Sequence, residues 1–210
     1  EDCALLLGAI AGHDRRDTAS VRHAVPHQPP PPADLAAVRV GGPRQGWFED
    51  GLGIDPEVGA IFEAAIETLR GLGARPSDLD GAPFALAGRA GKLILLAEAY
   101  AIHARTLRET PERLGRGFRR RVLPGAFLGA ADYLAARRAG AMLSDRMADA
   151  FATVDIIATP TLAVPPERFD GPPERDLRPN FTSPFNLGGL PAISIPCGFT
   201  RAGLPVGLQL

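Results

Sequence analysis

Apolar positions along this chain recur with two different spacings, and the alternation between them outlines an α/β protein. Between Asp55 and Leu72, the residues Val58, Ile61, Phe62, Ala65, Leu69 and Leu72 return every three or four positions, which predicts a helix buried along one stripe. Asp55 suits its N-cap, Pro56 its first position and Glu57 its first turn, while Gly71 and Gly73 stop it. The same spacing predicts helices over 2–12, with Leu5, Leu6, Ala9 and Ile10 on one face, over 83–107, and over 129–151. In the last of these Tyr133, Leu143, Met147 and Phe151 form the stripe. Short apolar runs read as strands at 38–41, at 192–195 between Pro191 and Pro196, and at 206–210 after a Gly-Leu-Pro turn. Strand-helix-strand order, repeated in outline before Asp155, predicts one α/β unit with a mixed β-sheet covered by helices.

The stretches between these elements carry less pattern. Residues 13–34 include Pro29-Pro-Pro-Pro32 and read as an irregular connection, either an extended segment laid over a domain or a flexible linker. Gly42-Pro43 turns the chain toward an exposed Trp47-Phe48. Residues 105–121 hold Arg105, Arg108, Arg113, Arg116, Arg119, Arg120 and Arg121 with Glu109 and Glu112 between them, which reads first as a solvated face and otherwise as a tRNA-facing or carboxylate-holding surface.

The C-terminal run is specified most tightly: Asn180-Phe-Thr-Ser-Pro-Phe-Asn-Leu-Gly-Gly-Leu-Pro-Ala-Ile-Ser-Ile-Pro-Cys-Gly-Phe-Thr-Arg-Ala-Gly-Leu-Pro-Val-Gly-Leu-Gln-Leu210. Prolines and glycines fix the main-chain path almost residue by residue, as suits a buried wall. This run resembles the C-terminal signature of the amidase signature family, over about thirty residues in which Pro, Gly, Asn and Cys positions agree together. The resemblance continues upstream through Ala9-Ile-Ala-Gly-His-Asp-Arg-Arg-Asp17, Leu69-Arg-Gly-Leu-Gly-Ala74, Arg120-Arg-Val-Leu-Pro-Gly125, Ala131-Asp-Tyr-Leu134 and Val154-Asp-Ile-Ile-Ala-Thr-Pro-Thr161.

What the resemblance implies is an amidase cleaving a carboxamide C–N bond through a serine acyl-enzyme. A lysine accepts the proton through a bridging serine, and a glycine-rich loop holds the oxyanion. Those groups belong to a segment N-terminal to Glu1, so the expectation is a C-terminal portion of the family domain over 1–210, incomplete on its N-terminal side and inactive alone. No residue of this chain is assigned a catalytic role. The resemblance places Pro179 and Ser183, seven and three positions before Asn186, in the substrate pocket, and makes Asn186 a buried amide tying backbone groups beside it. It also sets Gly140 about where the helix after Tyr133 often carries a carboxylate-holding arginine, with Arg137 and Arg138 nearby. Two alternatives stay open. One is the ammonia-handling component of an aspartyl/glutamyl-tRNA amidotransferase, its A subunit, which Ala9-Ile-Ala-Gly-His-Asp14 fits, whereas Pro184-Phe-Asn186 and Pro196-Cys-Gly198 fit general amidases better. The other is a non-catalytic binding module.

Composition narrows the partners. With 45% hydrophobic residues, 210 positions suffice for a substantial core, and no apolar run approaches a membrane span or a signal peptide. A net charge of -1 supplies no bulk attraction to nucleic acid or anionic lipid, so a small amide is the expected partner, with no nucleic acid and no membrane. A homodimer is compatible with all of this, and the cytoplasm is the default compartment. Twenty-two arginines against a single lysine, Lys92, point to a GC-rich genome. Cys3 and Cys197 have no partner at metal spacing and read as small buried apolar residues, so neither metal nor cofactor is expected. His13, His23, His27 and His103 lie outside any Gly-x-Ser-x-Gly context, Lys92 reads as a snorkelling helix residue, and Ser194 as structural.

Overall fold

A computed structural model describes residues 2–23, 34–43, 53–167 and 181–210. The proline run, Trp47-Phe48 and Pro179 lie outside them. Two compact units are distinguished, Glu1–Asp34 and Leu35–Leu210. In the first, helix α1 spans Asp2–Ile10. Leu5, Leu6 and Ile10 on it are exposed. The loop that follows is closed by Ser20, whose hydroxyl takes a hydrogen bond from the Asp14 amide.

In the second unit, strand β1 (Arg39–Gly42) leads through helix α2 (Pro56–Gly71) to strand β2 (Arg75–Asp78). Asp55 caps α2 as expected, its carboxylate accepting from the amides of Glu57 at 2.8 Å and Val58 at 3.4 Å. Val58, Phe62, Ala65 and Ile66 are the buried positions. Leu72 leaves the stripe because the helix ends one residue earlier. Gly73 then takes a φ of 100°, with the Ala36 backbone so close that a Cβ would lie 3.2 Å from its nitrogen.

Two long helices follow, α3 (Ala82–Glu109) and α5 (Ala130–Phe151), with the short helix α4 (Arg116–Val122) between them. α5 turns Ala136, Gly140, Leu143 and Met147 inward, a three-and-four spacing that packs on Phe84, Ala87, Ala90 and Ile94 of α3. Tyr133 and Phe151, expected on that stripe, are only half-buried at its two ends.

Strand β3 (Ile156–Ile157), the buried Ala158 and strand β4 (Thr159–Pro160) form one continuous segment, and helix α6 (Ser183–Gly188) precedes strands β5 (Ser194–Phe199) and β6 (Pro205–Gln209). The mixed sheet is realised as two three-stranded sheets sharing the 156–160 segment. One is parallel in the order β2-β1-β3; the other is antiparallel in the order β4-β6-β5. Arg39 pins the first at its start: its guanidinium forks onto Asp155 at 2.7 and 3.1 Å, and its amide donates to the same carboxylate.

The strand expected to stop at Pro196 runs on to Phe199, with a break in register between Pro196 and Gly198. β5 has a partner on one side only among the described strands, and an edge tolerates proline because no ladder donor is needed there. The buried wall expected of this stretch is realised in β6, where Val206, Leu208 and Gln209 are buried, and not in β5, none of whose residues is fully buried. Cys197 is half-buried beside α2, its thiol 3.5 Å from the Val206 carbonyl, and desolvation pushes its pKa up, away from a reactive thiolate. Ile193 and Ser194 are exposed.

Candidate functional site

Antiparallel pairing puts facing residues on the same side of the sheet, and here it sorts the two sides by chemistry. Ile195 pairs with Leu208, and Leu208 packs with Phe62, Ala65 and Ile66 of α2. The opposite side carries Ser194 paired with Gln209, Pro196 paired with Gly207, and Thr159 paired with Gln209. Thr161 extends β4, its amide donating to the Gly207 carbonyl at 2.9 Å. Hydroxyls and one amide thus line a strip across three strands.

At the open end of the strip, Thr161 Oγ1 and Ser194 Oγ are 2.6 Å apart. Gly207 lies beneath them. A Cβ at that position would come within 2.7 Å of one hydroxyl and 2.8 Å of the other, so the glycine is what lets them converge. One hydroxyl donates to its neighbour, and the pair keeps one O–H and lone pairs for a ligand. That is a donor and an acceptor side by side, the two functions that recognise a carboxamide's C=O and N–H.

At the covered end, Gln209 is buried, and its Nε2 donates to Thr159 Oγ1 at 2.9 Å and to the Phe181 carbonyl at 3.0 Å. A carbonyl accepts only, which orients the amide with its NH₂ toward Phe181. Gln209 thereby fastens the residues leading into α6 to the sheet, and α6 begins at Ser183.

Ser183 opens α6 instead of holding the extended conformation that a following proline favours, because Pro184 is itself accommodated in the first turn of that helix. Its hydroxyl lies close to Gly91 of α3, 2.7 Å from where a Cβ would sit there, so Ser183 stands half-buried between α6 and α3. Asn186 is exposed, one turn further along, and not the buried amide expected; its backbone continues α6 by donating to the Thr182 carbonyl. Pro179 lies outside the described residues. Gly140 faces Leu187, whose Cδ1 would be 2.9 Å from a Cβ, so an apolar side chain fills the place considered for an arginine. Arg137 and Arg138 are exposed.

The roles of Gln209, Thr159 and Thr161 were missed in the sequence, although Thr159 and Thr161 carry the period-two signal of a polar strand face. The chain also contains an unexpected serine–histidine contact, Ser20 Oγ to His13 Nδ1 at 2.9 Å. It is not a nucleophile and its base. Ser20 has one proton and two carbonyl acceptors, Asp14 and Asp17, each at 2.9 Å, so the proton goes to a carbonyl and His13 Nδ1 is left as the donor. Among the described residues no group of three or more His, Cys, Asp or Glu side chains gathers as a metal site would require, and no helix is long and apolar enough to cross a membrane.

The sequence model of the family described as Amidase matches residues 1–210. The chain belongs to the amidase family. Two curated relatives are named as the A subunits of glutamyl-tRNA(Gln) amidotransferases. The one from Thermosynechococcus vestitus is 33% identical over 238 residues, with 100% of this chain and 49% of the relative covered. That from Geobacter metallireducens is 34% identical over 238 residues, with 100% and 48% covered. The chain spans about half the length of the curated relatives it matches. Among solved structures, a crystal structure of an amidase superposes with a TM-score of 0.74 at 26% identity, over 85% of this chain and 42% of the other. The corresponding amidotransferase polypeptide of Thermotoga maritima superposes with a TM-score of 0.67 at 29% identity, over 99% and 46%. A bacterial aryl acylamidase of the amidase signature family shares the fold, with a TM-score of 0.76 at 21% identity over 99% and 46%. Relatives named for a tRNA run against the expectation of no nucleic-acid partner, which rested on net charge and on reading the arginines of 105–121 as a solvated face.

Proposed function

We propose that the protein to which these residues belong hydrolyses a carboxamide C–N bond through a serine acyl-enzyme, and that this chain supplies the substrate-facing wall. The reading is carried by the polar strip, whose Thr161–Ser194 pair presents a donor and an acceptor on an otherwise apolar scaffold. Ser183, held at the α6–α3 junction, lines the acyl side of the pocket, with Pro179 and Asn186 contributing beside it. In the same reading, the lysine, the bridging serine and the nucleophilic serine come from sequence N-terminal to Glu1, where a loop of backbone N–H groups stabilises the oxyanion. None of the 210 residues is assigned to a chemical step. The test is ammonia release from a panel of simple carboxamides, measured for the 210-residue chain and for the whole reading frame that encodes it. Turnover is expected only from the whole frame, and ammonia release by the 210-residue chain would overturn the assignment.

A second reading is favoured by the names of the relatives: the A subunit of an amidotransferase, which passes ammonia to a partner instead of releasing it. Pro184-Phe-Asn186 and Pro196-Cys-Gly198 favour the free amidase. Hydrolysis of simple amides without any partner protein separates the two.

A further inference from the structure

Helix α4 has two faces of different chemistry. Val122 is buried, and the Phe118 ring meets His103 of α3 edge-on with centroids 5.0 Å apart, so this is the side packed inward. Arg116, Arg119, Arg120 and the C-cap residue Leu123 recur at i, i+3, i+4 and i+7 and make the other face. Between that face, Leu107 of α3 and Pro111 just beyond it lies an open groove of about 260 Å³, whose surface is mostly apolar. Arginine meets such a wall with its methylene stem and leaves its guanidinium in water, and Arg116 and Arg120 are exposed. The arrangement is an apolar notch with cations around its rim. It sits in the segment 105–121, which holds seven arginines against two glutamates in a chain whose net charge is -1.

Both halves of this arrangement narrow the occupant. Guanidiniums spread around a rim give a small anion no common point of contact, and Leu107, Pro111 and Leu123 offer it no donor. A purely apolar partner leaves the rim charges unmatched. A protein segment that sets an apolar side chain between carboxylates matches both, because an interface centres on apolar contact and arginine is enriched in it, while complementary rim charges steer the encounter. The rim residues stand at helical spacing along α4, so a facing helix with acidic residues at the same spacing meets them in register. We propose that this groove docks an acidic amphipathic helix of a partner protein, with an apolar side chain seated on Leu107, Pro111 and Leu123 and its carboxylates facing Arg116, Arg119 and Arg120. The surface is separate from the polar strip and does not rest on the amide chemistry.

Fluorescence anisotropy tests it, using the whole protein that the reading frame encodes and a labelled synthetic helix of about 15 residues, with leucine at i, i+3, i+4 and i+7 and glutamate or alanine elsewhere. That peptide is expected to bind at least about tenfold more tightly than versions with serine for leucine or lysine for glutamate, since seating one leucine is by itself enough for such a factor. Its affinity should fall as salt rises from about 50 to 200 mM. R116Q/R120Q should weaken binding at least about threefold and flatten that salt dependence, and L123S should weaken it at least about fivefold with the salt dependence kept. R15Q/R22Q, altered at exposed arginines elsewhere, should stay within about twofold of wild type. If circular dichroism shows a groove variant misfolded, the comparison of the three peptides on the unaltered protein decides alone. Equal affinity for the three peptides, no binding of the acidic one, or equal loss in the two arginine variants overturns the proposal. So does tighter binding of a labelled oligoribonucleotide than of the acidic peptide, which would assign the rim to nucleic acid, or self-association that R116Q/R120Q abolishes in sedimentation, which would assign the face to a second copy.

Discussion

Gln209 joins the antiparallel sheet to the residues entering α6, and replacing it by leucine tests what that join contributes. Leucine keeps most of the volume, so the cavity left behind is small and the loss is that of two hydrogen bonds, to Thr159 Oγ1 at 2.9 Å and to the Phe181 carbonyl at 3.0 Å. Each neutral bond contributes about 1 kcal/mol net, and stripping the donor from the fully buried Thr159 hydroxyl adds a desolvation cost of about 1 kcal/mol. The expected destabilisation is about 3 kcal/mol, or about 6–12 °C in Tm for a chain of this size. Urea unfolding followed by circular dichroism measures it. Thr159→Val combined with Gln209→Leu should then cost less than the sum of the two single changes, by about 1 kcal/mol, since both remove the same bond. A loss below about 0.5 kcal/mol, or strictly additive effects, would refute the claim that this amide fastens α6 to the sheet.

Three further outcomes follow from the same geometry. Gly207→Ala should force apart the Thr161–Ser194 hydroxyl pair and raise KM for amides in the whole enzyme, while Gly207→Ala combined with Ser194→Ala, which removes one of the two clashes, should regain stability in thermal melts without restoring KM. Ser183→Leu should discriminate against bulky acyl groups by roughly ten- to two-hundred-fold in the kcat/KM ratio of a bulky to a small amide, and an unchanged ratio removes Ser183 from the pocket. The Arg39 hydrogen bonds hold the Asp155 carboxyl down at about 2 against an ordinary 3.8. A depressed folded-state pKa contributes stability above the unfolded value and loses it as pH falls through the folded one, so stability should decline between about pH 4 and 2. Asp155→Asn should flatten that stretch of the stability profile, by a modest amount because the pair is exposed; a profile identical to wild type would show that the fork does not couple to folding.

Local chemistry along the chain determined the elements and, through the C-terminal run, the family. Asp55-Pro56 fixed the start of α2, Gly71 and Gly73 its end, and the three-and-four spacings located α3 and α5 to within two residues, because caps and helical periodicity act over a few neighbours. Strand limits were harder. Pro196 reads as a stop until the fold places β5 at an edge, where a missing N–H costs nothing. The polar strip was beyond the sequence for a related reason. Thr159, Thr161, Ser194 and Gln209 come from three segments up to 50 residues apart, and only the register of β6 against both neighbours sets them side by side. Burial of Asn186 was likewise undecidable locally, since an amide on a six-residue helix faces solvent or core according to how that helix docks on α3 and α5.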